Sequence, residues 1–212
     1  VPNRAFGFNA NHRESHLDID AKISRLWTVY NQFEEETAEF RVDAVCEAGC
    51  AFCCTNMGTV DITTLEGLLI REQIGKLKRP QAAALAKALN RDIRKREQGK
   101  KNHCPFLQKN RRCQIYTSRP FSCRQLYSLK RCGEQGPTVH RQVVEQGRTA
   151  VAQLQAIDET GYSGHLSFIL HMLGSEKFLS VYLAGEFKPE EIMVFGKSHQ
   201  IAINRMMSGD SR

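Results

Sequence analysis

The sequence predicts a mainly α-helical fold packed around an irregular, cysteine-rich metal-binding segment, and three observations predict it. Apolar residues recur at helical spacing on both sides of the middle of the chain. Seven of the eight cysteines fall within the 78 residues from Cys46 to Cys123. From Cys104 to Gly136 no helix or strand period fits, and Pro105, Pro120, Gly133 and Gly136 punctuate the segment.

At 212 residues the chain is long enough to own a hydrophobic core without staples, so the cysteines need a chemical explanation. One domain is expected over residues 1–212. Helices with the first cysteine run occupy 14–97, the irregular cysteine-rich segment 98–136, and a second helical part 137–212.

Taken in order, Leu17, Ile19, Ile23, Leu26, Trp27, Tyr30, Phe33 and Phe40 predict one amphipathic helix from about Glu14 to Phe40, its polar face carrying Glu34, Glu35, Glu36 and Glu39. Asp61 or Thr63 is placed to cap a helix through Leu65, Leu68, Leu69 and Ile74, because a short oxygen-bearing side chain accepts from the first free N–H groups. Pro80 can open the next, through Leu85, Leu89 and Ile93, since the first helical turn does not need its missing N–H. Pro137 is expected to start a helix through Val143, Ala150, Leu154 and Ile157 that ends near Gly161. Two shorter helices follow, parted by Gly174, and Pro189, Glu190 and Glu191 open the last. No strand alternation is visible.

Thirty Lys and Arg against 23 Asp and Glu leave a charge of +7. The excess is local, because Arg91 to Arg131 holds thirteen basic residues and two acidic ones, Asp92 and Glu97. No apolar run approaches the ~20 residues of a membrane span, and no charged, apolar, small-residue signal pattern opens the sequence. A soluble, cytoplasmic protein without a membrane partner is expected.

Cys46-Glu-Ala-Gly-Cys50-Ala-Phe-Cys53-Cys54 is the strongest local signal. On one straight helix all four thiols would share an arc of roughly 100°, yet Cys46 and Cys53 would stand roughly 10 Å apart along the axis. That is too far to share one ion with metal–sulfur bonds of about 2.3 Å. Gly49 allows a turn that folds Cys46 back over a helix beginning near Cys50; otherwise the run feeds two neighbouring sites. Disulfides fit a reducing compartment poorly, and adjacent Cys53 and Cys54 suit ordinary bridges badly.

The candidate metal ligands are therefore Cys46, Cys50, Cys53, Cys54, Cys104, Cys113 and Cys123, holding iron, an iron–sulfur cluster, or alternatively zinc. Seven ligands exceed one four-coordinate ion. They fit a cluster plus spare thiols or, with Cys132, two four-cysteine sites. His103, beside Cys104, is a lesser candidate, and His12 with His16 reads as an exposed pair. Arg111, Arg112, Arg119 and Arg124 are expected to offset the charge of about −2 on a buried tetrathiolate site. The alternative use of that charge is nucleic acid, with Phe106, Tyr116, Phe121 and Tyr127 for stacking and exposed Lys95, Lys100 and Lys101 for phosphates.

The cysteine run, then Cys104-Pro105-Phe106-Leu107, Cys113-Gln114-Ile115-Tyr116 and Arg119-Pro120-Phe121-Ser122-Cys123-Arg124, together resemble the YkgJ-like cysteine-cluster family, a zinc- or iron-chelating domain family named for its CxxCxxCC run. The likeness spans Cys46 to Arg124 and departs by one extra residue between Cys46 and Cys50. It implies a metal-chelating protein, some members being labelled iron–sulfur oxidoreductases. A similar cluster in flagellin lysine N-methylase brings in a protein-modifying enzyme with a protein substrate as an alternative. Three classes stay open: a metal-binding protein with a redox role and partner, an enzyme modifying protein, and a zinc-stapled nucleic-acid-binding module. No nucleotide-phosphate loop and no serine-hydrolase elbow is present, so those chemistries have no support, and no catalytic residue is singled out.

Overall fold

The computed structural model describes residues 10–56, 58–186 and 189–199. Helix α1 spans Ala10–Glu36 and α2 spans Phe52–Asn56; strand β1 (Asp61–Thr63) leads directly into α3 (Thr64–Gly75), which is followed by α4 (Arg79–Glu97). After the irregular segment come α5 (Phe121–Arg124), α6 (Arg141–Ile157), strand β2 (Ser163–His165), α7 (Leu166–Gly174), α8 (Glu176–Leu183) and α9 (Pro189–His199). The protein is mainly helical, as its periodicity predicts. Among the described residues no helix is long and apolar enough to cross a membrane. The side chains of His12 and His16 lie outside the described residues.

Helix α1 ends earlier than its apolar spacing suggests. Both the backbone N–H and the hydroxyl of Thr37 turn back to the Phe33 carbonyl, at 3.1 and 2.6 Å, and a short 3-10 turn over Glu39–Arg41 follows. Leu26, Val29, Tyr30 and Phe33 on one face of α1 meet Val143, Ala150, Leu154 and Ile157 on α6, with Leu65, Leu69 and Phe121 completing that cluster. The other cluster gathers Ile62, Ile70, Leu85 and Ile93 around the apolar α7, and takes in Phe106 and Ile115 from the irregular segment.

The strand pair is a correction to the sequence reading. β1 and β2 run antiparallel with Asp61 opposite His165, Ile62 opposite Gly164 and Thr63 opposite Ser163. Three residues per strand, each strand running straight into a helix, leave no room for an alternating pattern. The pair sets α3 against α7 so closely that a Cβ on Gly67 would lie 2.7 Å from Leu173 Cδ1.

Two buried carboxylates fix the arrangement. Thr63 and Glu66 form a reciprocal capping box at the start of α3, so of the two proposed caps Thr63 is the one used. Glu66, 2% exposed, accepts from the Thr63 N–H at 2.7 Å through Oε2, and from the Tyr30 hydroxyl at 2.6 Å and the Phe121 N–H at 2.7 Å through Oε1. One side chain thus caps α3, grips α1 and holds the first residue of α5. Asp92, fully buried on α4, accepts from Arg96 Nε at 2.8 Å and Ser167 Oγ at 2.6 Å, with His165 Nδ1 3.8 Å away. Helix α6 begins at Arg141, with the His140 ring accepting from Gln142 N–H, and not at Pro137. Residues ahead of it are occupied instead in tying down a loop, because the Thr138 carbonyl accepts from Leu129 N–H and its N–H donates to Ser128 Oγ.

Candidate metal centre

Three stretches of irregular chain converge on α2. In the first, Gly49 adopts φ +94°, the left-handed conformation that suits glycine, and the Cys50 N–H closes the turn onto the Glu47 carbonyl at 2.9 Å. This accommodates the extra residue between Cys46 and Cys50 and reverses the chain ahead of α2, which carries Cys53 and Cys54. Arg111 braces the turn, its Nε donating to the Gly49 carbonyl at 3.1 Å.

In the second stretch the Cys104 N–H donates to the Cys54 carbonyl at 2.7 Å. The chain then doubles back in a small loop, Leu107 bridging Cys113, Gln108 N–H meeting the Arg112 carbonyl, and Arg111 at the tip with φ +62°. Cys104 and Cys113 both pack against the larger core cluster, to which the buried Phe106 and Ile115 belong. Cys123 follows on α5, held by Glu66 and by the Ser122 hydroxyl on the Asp61 carbonyl. In the third stretch Ser128 pairs with the first run: its carbonyl accepts from Val45 N–H at 2.8 Å and its N–H points at Cys46 Sγ, 3.4 Å away. The loop from Ser128 to Thr138 carries Cys132.

All eight cysteines are free thiols. Burial and neighbouring thiols shift several of them. Burial pushes Cys53 up to about 11, helped by the like charges of Cys132 first and then Cys46, Cys54 and Cys50. Burial also raises Cys123, followed by the like charges of Cys113 and Cys54. Cys104 donates its S–H to Cys54, which lowers Cys54 to about 7 and raises Cys104 well above the usual thiol range. Cys113 is raised chiefly by burial. Cys54 thus neighbours Cys53 on one side and Cys104, Cys113 and Cys123 on the other. Cys53 and Cys54, consecutive on α2, diverge by about 100° about the helix axis.

Backbone N–H groups are aimed at three of the sulfurs. Phe106 N–H serves Cys104, Ile115 N–H serves Cys113 and Ser128 N–H serves Cys46. Such donors stabilise a thiolate, with or without metal. Among the described residues no three His, Cys, Asp or Glu side chains are drawn together as a formed metal-binding group.

The arginines divide in a way the spacing does not reveal. Arg119 pulls the thiols of Cys113 and Cys123 down, against their burial. It lies 4.2 Å from the Tyr116 ring centre and donates to the Tyr127 hydroxyl at 2.8 Å. Arg124 instead turns into the fold: 6% exposed, it pairs with Glu34 at 2.7 Å, donates to the Thr117 and Arg119 carbonyls, and lies over the Tyr30 ring at 4.4 Å. Arg112 and His103 are exposed, as are Lys100 and Lys101, whereas Lys95 is half-buried and bonded to Asn102.

The seven cysteines singled out by the sequence lie on the stretches that converge on α2, and Cys132, left open by the sequence, neighbours Cys53. The protein is of the class that folds helices about a thiol-rich chelating segment. Residues 45–147 match the family described as "CxxCxxCC: Putative zinc- or iron-chelating domain", the cysteine-cluster family that the sequence resembles. Searches of curated proteins and of solved structures returned no match.

Proposed function

We propose that the chain is a metal-binding protein that holds iron or zinc in two four-thiolate sites, one of Cys46, Cys50, Cys53 and Cys132, the other of Cys54, Cys104, Cys113 and Cys123. The observation that carries this is the convergence of three irregular stretches bearing eight free thiols on α2, with backbone N–H groups aimed at the sulfurs of Cys46, Cys104 and Cys113. The donor set fits the metals that the family description names. Thiolate is the soft ligand of zinc and of iron–sulfur centres and a poor one for magnesium or calcium. Four thiolates leave each site anionic, and Arg119 beside Cys113 and Cys123 offsets part of that charge. The ligand is the thiolate, so metal uptake releases protons and draws the three stretches together. Zinc makes such a site closed and structural; iron adds one-electron redox chemistry.

Anaerobic purification, elemental analysis and a visible spectrum test this. Two metal equivalents per chain are expected, with Cys53→Ser lowering both metal content and thermal stability. A metal-free native protein, or one whose eight cysteines pair as disulfides, overturns the proposal.

A further inference from the structure

We infer that the cleft between α4, α7, α8 and α9 is a binding site for a small uncharged molecule with an aromatic body and a hydroxyl group, of the phenol class. Among the described residues no cysteine lines this cleft, so the site is separate from the thiol centre and goes beyond the metal-binding function.

Size and lining set the body of the guest. The cleft holds about 570 Å³, within the ~300–1,000 Å³ of sites that take drug-sized ligands. Leu170, Met172 and Phe195 give it a buried apolar floor, while Ala86, Asn90 and His171 are exposed at its rim and leave it open to solvent. Its rings already meet at an angle: Phe178 and Phe195 stand 5.6 Å apart at 79°, and Phe195 and His199 4.4 Å apart at 48°. Walls of this kind suit a flat aromatic guest, which packs edge-to-face or offset against each of them.

Two carboxylates of α4 set its polar group. Asp92 Oδ2 accepts from the Ser167 hydroxyl at 2.6 Å, and Glu97 Oε1 lies 2.6 Å from His199 Nδ1. A carboxylate only accepts, so Nδ1 is the nitrogen that carries the proton in the neutral ring. Ser167 and His199 both line the cleft with one donor already committed. What remains, a lone pair on Ser167 Oγ and His199 Nε2, accepts, so the guest must bring a donor. A hydroxyl also serves the protonated ring, because it accepts as well as donates. Charged groups fit less well. Among the described residues lining the cleft none is Lys or Arg, so a carboxylate or phosphate would be desolvated without a counter-charge. A cation would find Asp92 already paired with Arg96 and Glu97 with His199.

The test titrates the full chain with naphthol, methylnaphthalene and naphthoate by calorimetry, and follows the Met172 methyl resonance by NMR. Naphthol should bind at one equivalent and shift that resonance. It should bind at least roughly tenfold more tightly than either control, because the hydrocarbon leaves the cleft acceptors unmatched and the anion is buried without a counter-charge. His199→Phe should reduce naphthol to the affinity of methylnaphthalene. Ala86→Trp, at the exposed rim, should weaken both with unchanged circular dichroism. Absence of naphthol binding, naphthoate binding as tightly as naphthol, a hydroxyl preference that persists in His199→Phe, or binding indifferent to Ala86→Trp overturns the inference. Metal content enters none of these readouts, so the metal-binding function stands or falls separately.

Discussion

Replacing Glu66 by Gln changes one atom in a buried junction and tests whether the capping glutamate is what connects the core to the second thiol group. The carboxylate accepts three hydrogen bonds, from Thr63 N–H, Tyr30 Oη–H and Phe121 N–H. A glutamine has one acceptor oxygen. If that oxygen faces Tyr30 and Phe121, the amide nitrogen meets Thr63 N–H donor to donor; the flipped amide leaves two donors unmatched instead. The milder case forfeits one bond to a charged acceptor, about 1.5–3 kcal/mol, and strands a buried N–H at about 1–3 kcal/mol more. A loss of about 2.5–6 kcal/mol follows, which is a large share of the roughly 5–15 kcal/mol that a domain possesses. At an m-value of about 2 kcal/mol/M the urea midpoint falls by about 1–3 M. Tyr30→Phe removes a single donor and leaves the other two bonds in place, so its loss should be the smaller. Because Phe121 lies two residues before Cys123, Glu66→Gln should also weaken zinc retention that depends on Cys123. Urea unfolding of Glu66→Gln within about 0.5 kcal/mol of the parent, the size of an ordinary surface substitution, would refute the argument.

Acid should destabilise the fold well above the pKa range of carboxylates. Burial, reinforced by Arg96 and opposed by Asp92, lowers His165 to about 4, and its Nδ1 accepts the Ser167 N–H that caps α7. A histidine depressed on folding contributes stability that is fully present above the unfolded pKa of about 6.5 and is lost as pH falls toward about 4, at up to about 1.4 kcal/mol per pH unit. Urea midpoints between pH 7 and 4 should decline in the parent and much less in His165→Gln; equal slopes would remove His165 as the cause. The arginines give a paired test: Arg119→Gln should lower zinc affinity by several-fold with little change in melting temperature, whereas Arg124→Gln should lower the melting temperature by leaving buried carbonyls and Glu34 unpaired. Equal effects of both on zinc retention under a chelator would contradict the division drawn between them.

The helical class was legible because it is written in long repeats: α1, α4 and α6 each show an apolar face several turns deep. Thr63 with Glu66 three residues later announces a capping box, yet nothing local shows that the same glutamate also reaches Tyr30 and Phe121, which lie 36 and 55 residues away. The strand pair escaped because it is made by three residues meeting three others about a hundred positions on. Arg119 and Arg124 flank Cys123 almost symmetrically in the sequence, and only the four-residue helix α5 decides that one faces thiols and the other faces Glu34. Gly49 was readable as a turn because only a residue without a Cβ takes φ +94° at no cost.

The burial of Phe106, Ile115 and Phe121 bears on where the cysteine segment can be cut. Phe106 and Ile115 belong to the cluster that α7, α8 and α9 help to build, and Phe121 lies against Phe33 and Tyr30 of α1, its ring centre 4.7 Å from that of Phe33. These helices fall outside residues 45–147, the stretch that matches the family. Excised at those boundaries, the segment would lose part of both clusters, and Phe121 with them part of a burial worth about 1.5–3 kcal/mol. The cysteine pattern is portable as text; as a folded object it travels with the helices that roof it.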